Sequence, residues 1–250
     1  MFEKLESRAL IQYTIKTKSD LHIGGHGSTL PAEVDNQVLK NHKDYPIIPG
    51  SSLKGVLRTE MERLLKGISI DVCSVPDVCR SPKRKDVNEC PVCTLFGGAE
   101  LAGSVRIKDA TANSKRTFIR DGVAIERKTR KARGGAKYDF EAVPQGTEFY
   151  GEVTIENLDI DENKNAKLGA FLSLVDFFNA CSGSIGHAIS RGFGQINIEI
   201  DNFRVITAQD YLSGKFDGKV FPSGEPEFNV VKDEAITSWS AYLSSKKEKS

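Results

Sequence analysis

The sequence predicts an α+β fold, a βαββαβ core interrupted by large insertions. Three observations carry this reading. Segments in which apolar and polar residues alternate recur along the chain, two others carry apolar residues at helical spacing, and long stretches with neither period separate them. With 250 residues and 39% hydrophobic content, the chain is long enough to bury the core of one large domain.

Residues 8–17 read as a strand, because Ile11, Tyr13 and Ile15 alternate with Gln12, Thr14 and Lys16. A glycine-rich turn from Leu21 to Gly27 and an irregular stretch at 28–47 follow. A helix is predicted over 52–66, where Leu53, Val56, Leu57, Met61, Leu64 and Leu65 form one face. Pro49 and Gly50 make the turn before it, Ser51 or Ser52 is the expected cap, and Gly67 the stop. Residues 103–109 form a short strand, with Val105 and Ile107 opposite Arg106 and Lys108. Residues 147–156 form another, with Phe149, Val153 and Ile155 on one face. Residues 167–180 are a helix with the stripe Leu168, Phe171, Leu172, Val175 and Phe178. A last strand at 193–200 aligns Ile196, Ile198 and Ile200.

Strand, helix, strand, strand, helix, strand is the ferredoxin-like (RRM-like) plan, whose sheet is a common nucleic-acid platform. We therefore expect a domain at 1–205 with insertions at 20–48 (a lid), 67–102 (a cysteine-bearing loop) and 110–145 (a basic arm). Residues 206–250 form an extension, with a disordered end at 244–250. No apolar run approaches the roughly 20 residues of a membrane helix, and Met1 to Glu6 carry no apolar signal segment, so a cytoplasmic protein without a membrane partner is expected.

Four of the five cysteines cluster as Cys73, Cys79, Cys90 and Cys93. The last two are a Cys-x2-Cys knuckle, and four thiolates close a tetrahedral zinc site with no open position for water, so the expected role is structural. Free or redox thiols are the plainer alternative. A catalytic Cys-x2-Cys belongs beside a βαβ pattern, which is absent here.

Net charge is only +1, but the segment from Lys115 to Lys137 carries Arg120, Arg127, Lys128, Arg130, Lys131 and Arg133 against Asp121 and Glu126. Such an arm suits a polyanion, with salt-sensitive binding. Phe118 and Ile119 among the cations can wedge or stack against bases; a solvated loop is the bland alternative. In the predicted helix Lys54 and Arg58 lie one turn apart beside Ser51, Ser52 and free amides, a recipe for holding phosphate. The glycine-rich stretch from Ser182 to Gly194 runs from helix to strand, the wrong context for a P-loop or a dinucleotide fingerprint. His22, His26 and Asp35 are the candidate chemistry before the main helix: imidazoles for proton transfer, a carboxylate for a divalent ion. Taken singly, each fits a surface or structural role as well.

These pieces occur in a particular order. Leu21-His22-Ile23-Gly24-Gly25, Val34-Asp35-Asn36-Gln37-Val38 and Ile48-Pro49-Gly50-Ser51-Ser52-Leu53-Lys54-Gly55 come first. Ile125-Glu126-Arg127-Lys128-Thr129, Val143-Pro144-Gln145-Gly146-Thr147 and Ser190-Arg191-Gly192-Phe193-Gly194 follow. The set resembles the RAMP superfamily, and within it the repeated backbone subunit of type III CRISPR effector complexes. The resemblance implies copies or paralogous RAMP subunits stacked along a CRISPR guide RNA, with other type III effector subunits and a complementary target RNA as partners. It implies that Ser51, Ser52, Lys54, Arg58, Arg191 and Gly192 grip RNA, and that 110–145 is a thumb hairpin bearing Arg127, Lys128, Arg130 and Lys131. It implies metal-dependent endonucleolytic cleavage of target RNA at Asp35, with magnesium or manganese and His22 as partner. A non-catalytic guide-binding subunit and a guide-processing endonuclease remain alternatives, as does, from another class, a zinc or redox enzyme.

Overall fold

The computed structural model describes residues 4–25, 36–79 and 90–247, with the backbone alone at 135–137. The alternating segment near the N-terminus is β1 (Ser7–Thr17), and it lies in the middle of the main sheet. It pairs antiparallel with β7 (Glu148–Glu156) on one side and with β8 (Ile196–Thr207) on the other. Beyond β7 lie the short strands β2 (Ile47–Ile48), β3 (Val105–Ile107) and β4 (Ala110–Ala112). Beyond β8 lies β9 (Lys219–Pro222). The chain is thus mixed α and β, with antiparallel pairing throughout its named strands.

Period-two alternation sorts this sheet into two faces. Ala9, Ile11, Tyr13 and Ile15 of β1 share a buried cluster with Phe149, Val153 and Ile155 of β7. Two helices supply the other half of that cluster: Leu53, Leu57, Met61 and Leu65 from α1 (Gly50–Gly67), and Leu168, Phe171, Leu172, Val175 and Phe178 from α3 (Ala166–Ala180). The opposite face is polar, with Lys16 bound to Glu199 at 2.9 Å and Lys108 to Glu152 at 2.5 Å.

The second insertion and the tail depart from expectation. Within 67–102, where the sequence shows no period, α2 (Pro91–Phe96) forms on the proline that starts it, a position where the missing N–H costs nothing. The basic arm is an ordered two-stranded hairpin of β5 (Phe118–Ile125) and β6 (Ala132–Ala142). The domain boundary expected after residue 205 falls inside β8. Past it, α4 (Ala208–Leu212) begins on a capping box between Thr207 and Asp210. The last element, α5 (Pro226–Lys247), places Phe228, Ala235, Trp239 and Tyr242 in the main buried cluster. Burial of those side chains makes the tail part of the core, so residues 244–247, expected to be disordered, continue a helix; 248–250 lie outside the described residues.

Close packing of α5 on α3 turns on Gly169, where a β-carbon would stand 2.0 Å from the carbonyl oxygen of Ala235. Two backbones cannot yield as a side-chain tip can. Gly169→Ala is expected to cost about 1–3 kcal/mol by overpacking. That is a melting point lower by about 3–10 °C in a chain of this size, readable by thermal denaturation.

Candidate functional site

The cysteines of the second insertion come together. The sulfurs of Cys73, Cys79, Cys90 and Cys93 all lie within 4.8 Å of one another, and all four residues are buried. Backbone N–H groups of Cys90 and Cys93 donate to Cys79 Sγ and Cys90 Sγ at 3.3 and 3.4 Å, the second bond capping α2. Cys73 Sγ and Cys79 Sγ are 3.2 Å apart, well beyond the roughly 2.05 Å of a disulfide. A tetrahedron with metal–sulfur bonds of about 2.3 Å has edges of about 3.8 Å, so the cluster fits a four-thiolate zinc ion and could hold one. Hydrogen bonding, first from the Cys93 thiol, pulls the Cys90 thiol down to about 4, while burial pushes Cys73 up to about 12.

Next to this cluster the start of α1 differs from the predicted phosphate grip. The helix begins ahead of both serines: Pro49 is the cap residue, and neither Ser51 nor Ser52 caps with its side chain. Instead the Asp109 carboxylate accepts from Gly50 N at 2.8 Å, so an anion of the chain itself sits at the helix N-terminus. Lys54 is half-buried and donates to the Val105 carbonyl at 2.9 Å; burial, then Arg58 and Arg106, lower its pKa. The Arg58 guanidinium is engaged within the chain. Its Nε donates to Glu62 at 2.8 Å, Nη1 to the Gly97 carbonyl at 2.8 Å and Nη2 to Cys93 Sγ at 3.5 Å. Its side chain is only 14% exposed.

A second locus lies beyond the C-terminal end of β1, where Leu21 bridges to Val143. His22, Gly24, Asn36, Tyr138, Phe140 and His187 line a cleft of about 310 Å³. Three elements meet there: the first insertion, the base of the hairpin, and the glycine-rich loop before β8. His22 is buried, with Nδ1 2.6 Å from the Glu141 carbonyl oxygen. A carbonyl only accepts, so Nδ1 carries the proton and Nε2 is the lone-pair nitrogen of the neutral ring. The His22 ring meets Phe140 and His187 edge-on at centroid distances of 5.5 and 5.9 Å. Gly186 has φ +92°, and a β-carbon there would approach the His22 carbonyl oxygen to 2.4 Å. The glycine is thus explained by close approach to the chain's own backbone. Arg191 Nη1 donates to the Tyr138 hydroxyl at 3.0 Å, and the left-handed, exposed Gly192 follows it. Asp35 and His26 lie outside the described residues; the Asn36 carbonyl, in the residue after Asp35, accepts from Glu141 N at 2.9 Å.

Glu141 organises this cleft, and sequence reading missed it. Its main chain binds both His22 and Asn36. Its carboxylate accepts from Val38 N at 3.0 Å and from Lys40 Nζ and Thr117 Oγ1 at 2.5 Å each. Burial alone would raise this carboxyl, but the Lys40, Thr117 and Val38 donors outweigh it and the net shift is downward. A depressed carboxyl stabilises the fold above its unfolded value, and that contribution disappears as pH falls through the lower folded value. The melting point is therefore expected to drop on acidification below the ordinary carboxylate range. Glu141→Ala, losing hydrogen bonds to a charged acceptor worth about 1.5–3 kcal/mol, should flatten that part of the profile. Tyr138, Phe140 and Phe193 were missed too; the alternation of Tyr138 and Phe140 in β6 was the legible signal.

At the far end of the hairpin, Arg127, Lys128, Arg130 and Lys131 are exposed on a turn closed by Arg130 N to the Glu126 carbonyl at 2.8 Å. Ile119, Val123 and Ile125 are exposed along the strand that leads to it. No helix among the described residues is long and apolar enough to cross a membrane.

Comparison with known proteins points the same way as these features. An endoribonuclease of Methanocaldococcus jannaschii, CRISPR system Cms endoribonuclease Csm3, is 24% identical to this chain over 248 residues, covering 94% of this chain and 96% of its own length. The family model described as RAMP superfamily matches residues 14–197, from the middle of β1 into β8 and across both loci. The chain belongs to the RAMP superfamily.

Proposed function

We propose that this protein is the guide-RNA-binding backbone subunit of a type III CRISPR effector complex in the cytoplasm, and that within it the subunit cuts complementary target RNA. The observation that carries the reading is the convergence of the His22 cleft, the segment that follows Asp35 and the base of a cation-tipped hairpin at one end of the sheet. The near full-length alignment with a CRISPR endoribonuclease supports it. The ferredoxin-like plan is part of the reading. It is supported by the sheet order β8, β1, β7, β3, with α1 leading from β1 toward β3 and α3 from β7 to β8.

On this reading the hairpin is the thumb, and Arg127, Lys128, Arg130 and Lys131 hold phosphates while the guide supplies sequence by pairing. Ser51, Ser52, Lys54, Arg191 and Gly192 meet the RNA backbone nearer the core. A kinked target nucleotide aligns its ribose 2′-hydroxyl with its own phosphate; as the 2′-oxygen bonds to phosphorus, the lone pair of His22 Nε2 accepts the hydroxyl proton, the bond from phosphorus to the next nucleotide's 5′-oxygen breaks, and that oxygen takes a proton from water. Among the described residues the cysteines are the one grouping of three or more metal-ligating side chains. Asp35 is the carboxylate assigned to that ion, which when bound would neutralise charge on the scissile phosphate. The four cysteines hold a structural zinc ion.

The test is assembly with partner subunits and guide, followed by labelled target RNA. Cuts at regular intervals that need a divalent ion are expected. Tight target binding without cuts would instead make the subunit structural, and cleavage of precursor RNA by the lone protein in chelator would make it a guide-processing enzyme. Neutralising the four hairpin cations should lower the salt slope of RNA binding by about 0.7–0.9 for each phosphate no longer neutralised.

A further inference from the structure

A zinc ion held by four thiolates carries a net double negative charge, and this one would lie among Val72, Val92, Leu95 and Phe96 in the buried cluster. Charge in such surroundings is costly unless donors and cations compensate it. Two backbone N–H groups, those of Cys90 and Cys93, point at sulfur. The guanidinium of Arg58 does so as well, reaching Cys93 Sγ at 3.5 Å. Its orientation is fixed from two further sides, by Glu62 through Nε and by the Gly97 carbonyl through Nη1. Glu62 is itself buried, so this pair is an internal clamp and not a solvated helix pair.

We propose that Arg58 is the positioning cation of the zinc centre, and that it ties α1 to the metal. The inference rests on the zinc reading of the four cysteines. One planar group joins three parts of the chain: the helix through Glu62, the loop after α2 through Gly97, and the thiolate set through Cys93. The guanidinium holds its donors in a rigid fork, so it addresses three acceptors in fixed directions at once; an ammonium is a compact point charge and does not span them. Lys54 lies one helical turn before Arg58 and is fastened to β3 by its bond to Val105. The first half of α1 is therefore held between the metal site and the sheet, and the position of the Ser51–Lys54 turn depends on an occupied zinc site.

Zinc affinity is the direct readout, measured on the full chain by competition with a chromogenic chelator. Arg58→Met is expected to weaken zinc about 10–100-fold, the usual loss when a group that orients a ligand is removed. With cobalt(II) in place of zinc, the sulfur-to-cobalt charge-transfer bands should shift in the variant. Should Arg58→Met fail to fold, Arg58→Lys, which keeps the charge but cannot span three acceptors, decides by the same titration. Weaker zinc supports the proposal; wild-type affinity with unchanged bands overturns it. A wild-type protein that binds no zinc removes the zinc reading and the proposal together, whereas a zinc-binding wild type with an indifferent Arg58 removes the proposal alone. RNA binding at saturating zinc gives a second check. The salt slope of the Arg58→Met protein should equal the wild type's, and a slope lower by about one phosphate's worth would make Arg58 a phosphate ligand instead.

Discussion

Stripping the metal from the four-cysteine centre, or replacing Cys90 by serine, is expected to lower stability by about 4–5 kcal/mol, at the upper end of what a single change does. The reason is where the centre sits. Cys90 caps α2 with its sulfur, and α2 contributes Val92, Leu95 and Phe96 to the main buried cluster. Residues 68–79, which bring Cys73 and Cys79 to it, have no regular secondary structure of three residues or more. Without an ion, buried thiols must share protons in a space sized for thiolates, and the two halves of the insertion lose the link that draws their sulfurs together. In a chain of this length the loss corresponds to a melting point lower by about 10–20 °C. Acid should mimic chelation, because thiolates bind and thiols do not: the zinc-dependent stability is present at neutral pH and lost as pH falls. Thermal melts with and without chelator, beside elemental analysis of fresh protein, provide the measurement. No zinc in the fresh protein, or melts that ignore chelator, would refute the prediction.

Asp35→Ala in the assembled complex is expected to slow target cleavage by about 10²–10⁴-fold, since charge stabilisation by a metal at a transferring phosphate is worth several kcal/mol and each 1.36 kcal/mol is about tenfold. Target affinity should stay near the wild-type value, because the hairpin cations proposed to hold phosphates are untouched. The discriminating comparison is His22→Ala in the same assembly. Loss of a general base costs about 10²–10⁴-fold and shifts the pH–rate profile, whereas loss of the metal carboxylate removes the dependence on divalent ion. Cleavage that proceeds unchanged in Asp35→Ala would falsify the assignment.

Periodicity made the core legible. Ile11, Tyr13 and Ile15 alternate, Leu53, Leu57, Met61 and Leu65 recur by turns, and each set is buried where its period places it. Local pattern does not reveal a partner far away in the chain. Arg58 reads as half of a phosphate grip because its sequence neighbours are Lys54 and two serines; its partners Gly97 and Cys93 are set by tertiary packing. Glu141 reads as one acid before an apolar pair, yet its five bonds reach back to residues 22, 36, 38, 40 and 117. The residue pattern alone did not give the hairpin, which entered only through the family resemblance, for a related reason. Both faces of β5 and the outer end of β6 are open to solvent, so no buried side imposes an alternation that a reader could see. In α5 the buried Phe228, Ala235, Trp239 and Tyr242 recur at helical spacing, a stripe the sequence reading passed over, and it packs against α3.

The hairpin divides past the Gly122–Tyr138 pair into two parts with different freedom to change. At Phe118–Ala142, Ile119–Glu141 and Arg120–Phe140 the strands pair with each other and also hold His22, Asn36, Lys40 and Phe193. Toward the tip, past Gly122–Tyr138, the strands run out to the cation-bearing turn with exposed residues on both. The hairpin is therefore a stick set in a socket: its outer reach can lengthen or shorten by whole pairs without disturbing the histidine, whereas a single-residue insertion among the three innermost pairs turns every socket side chain to the wrong face.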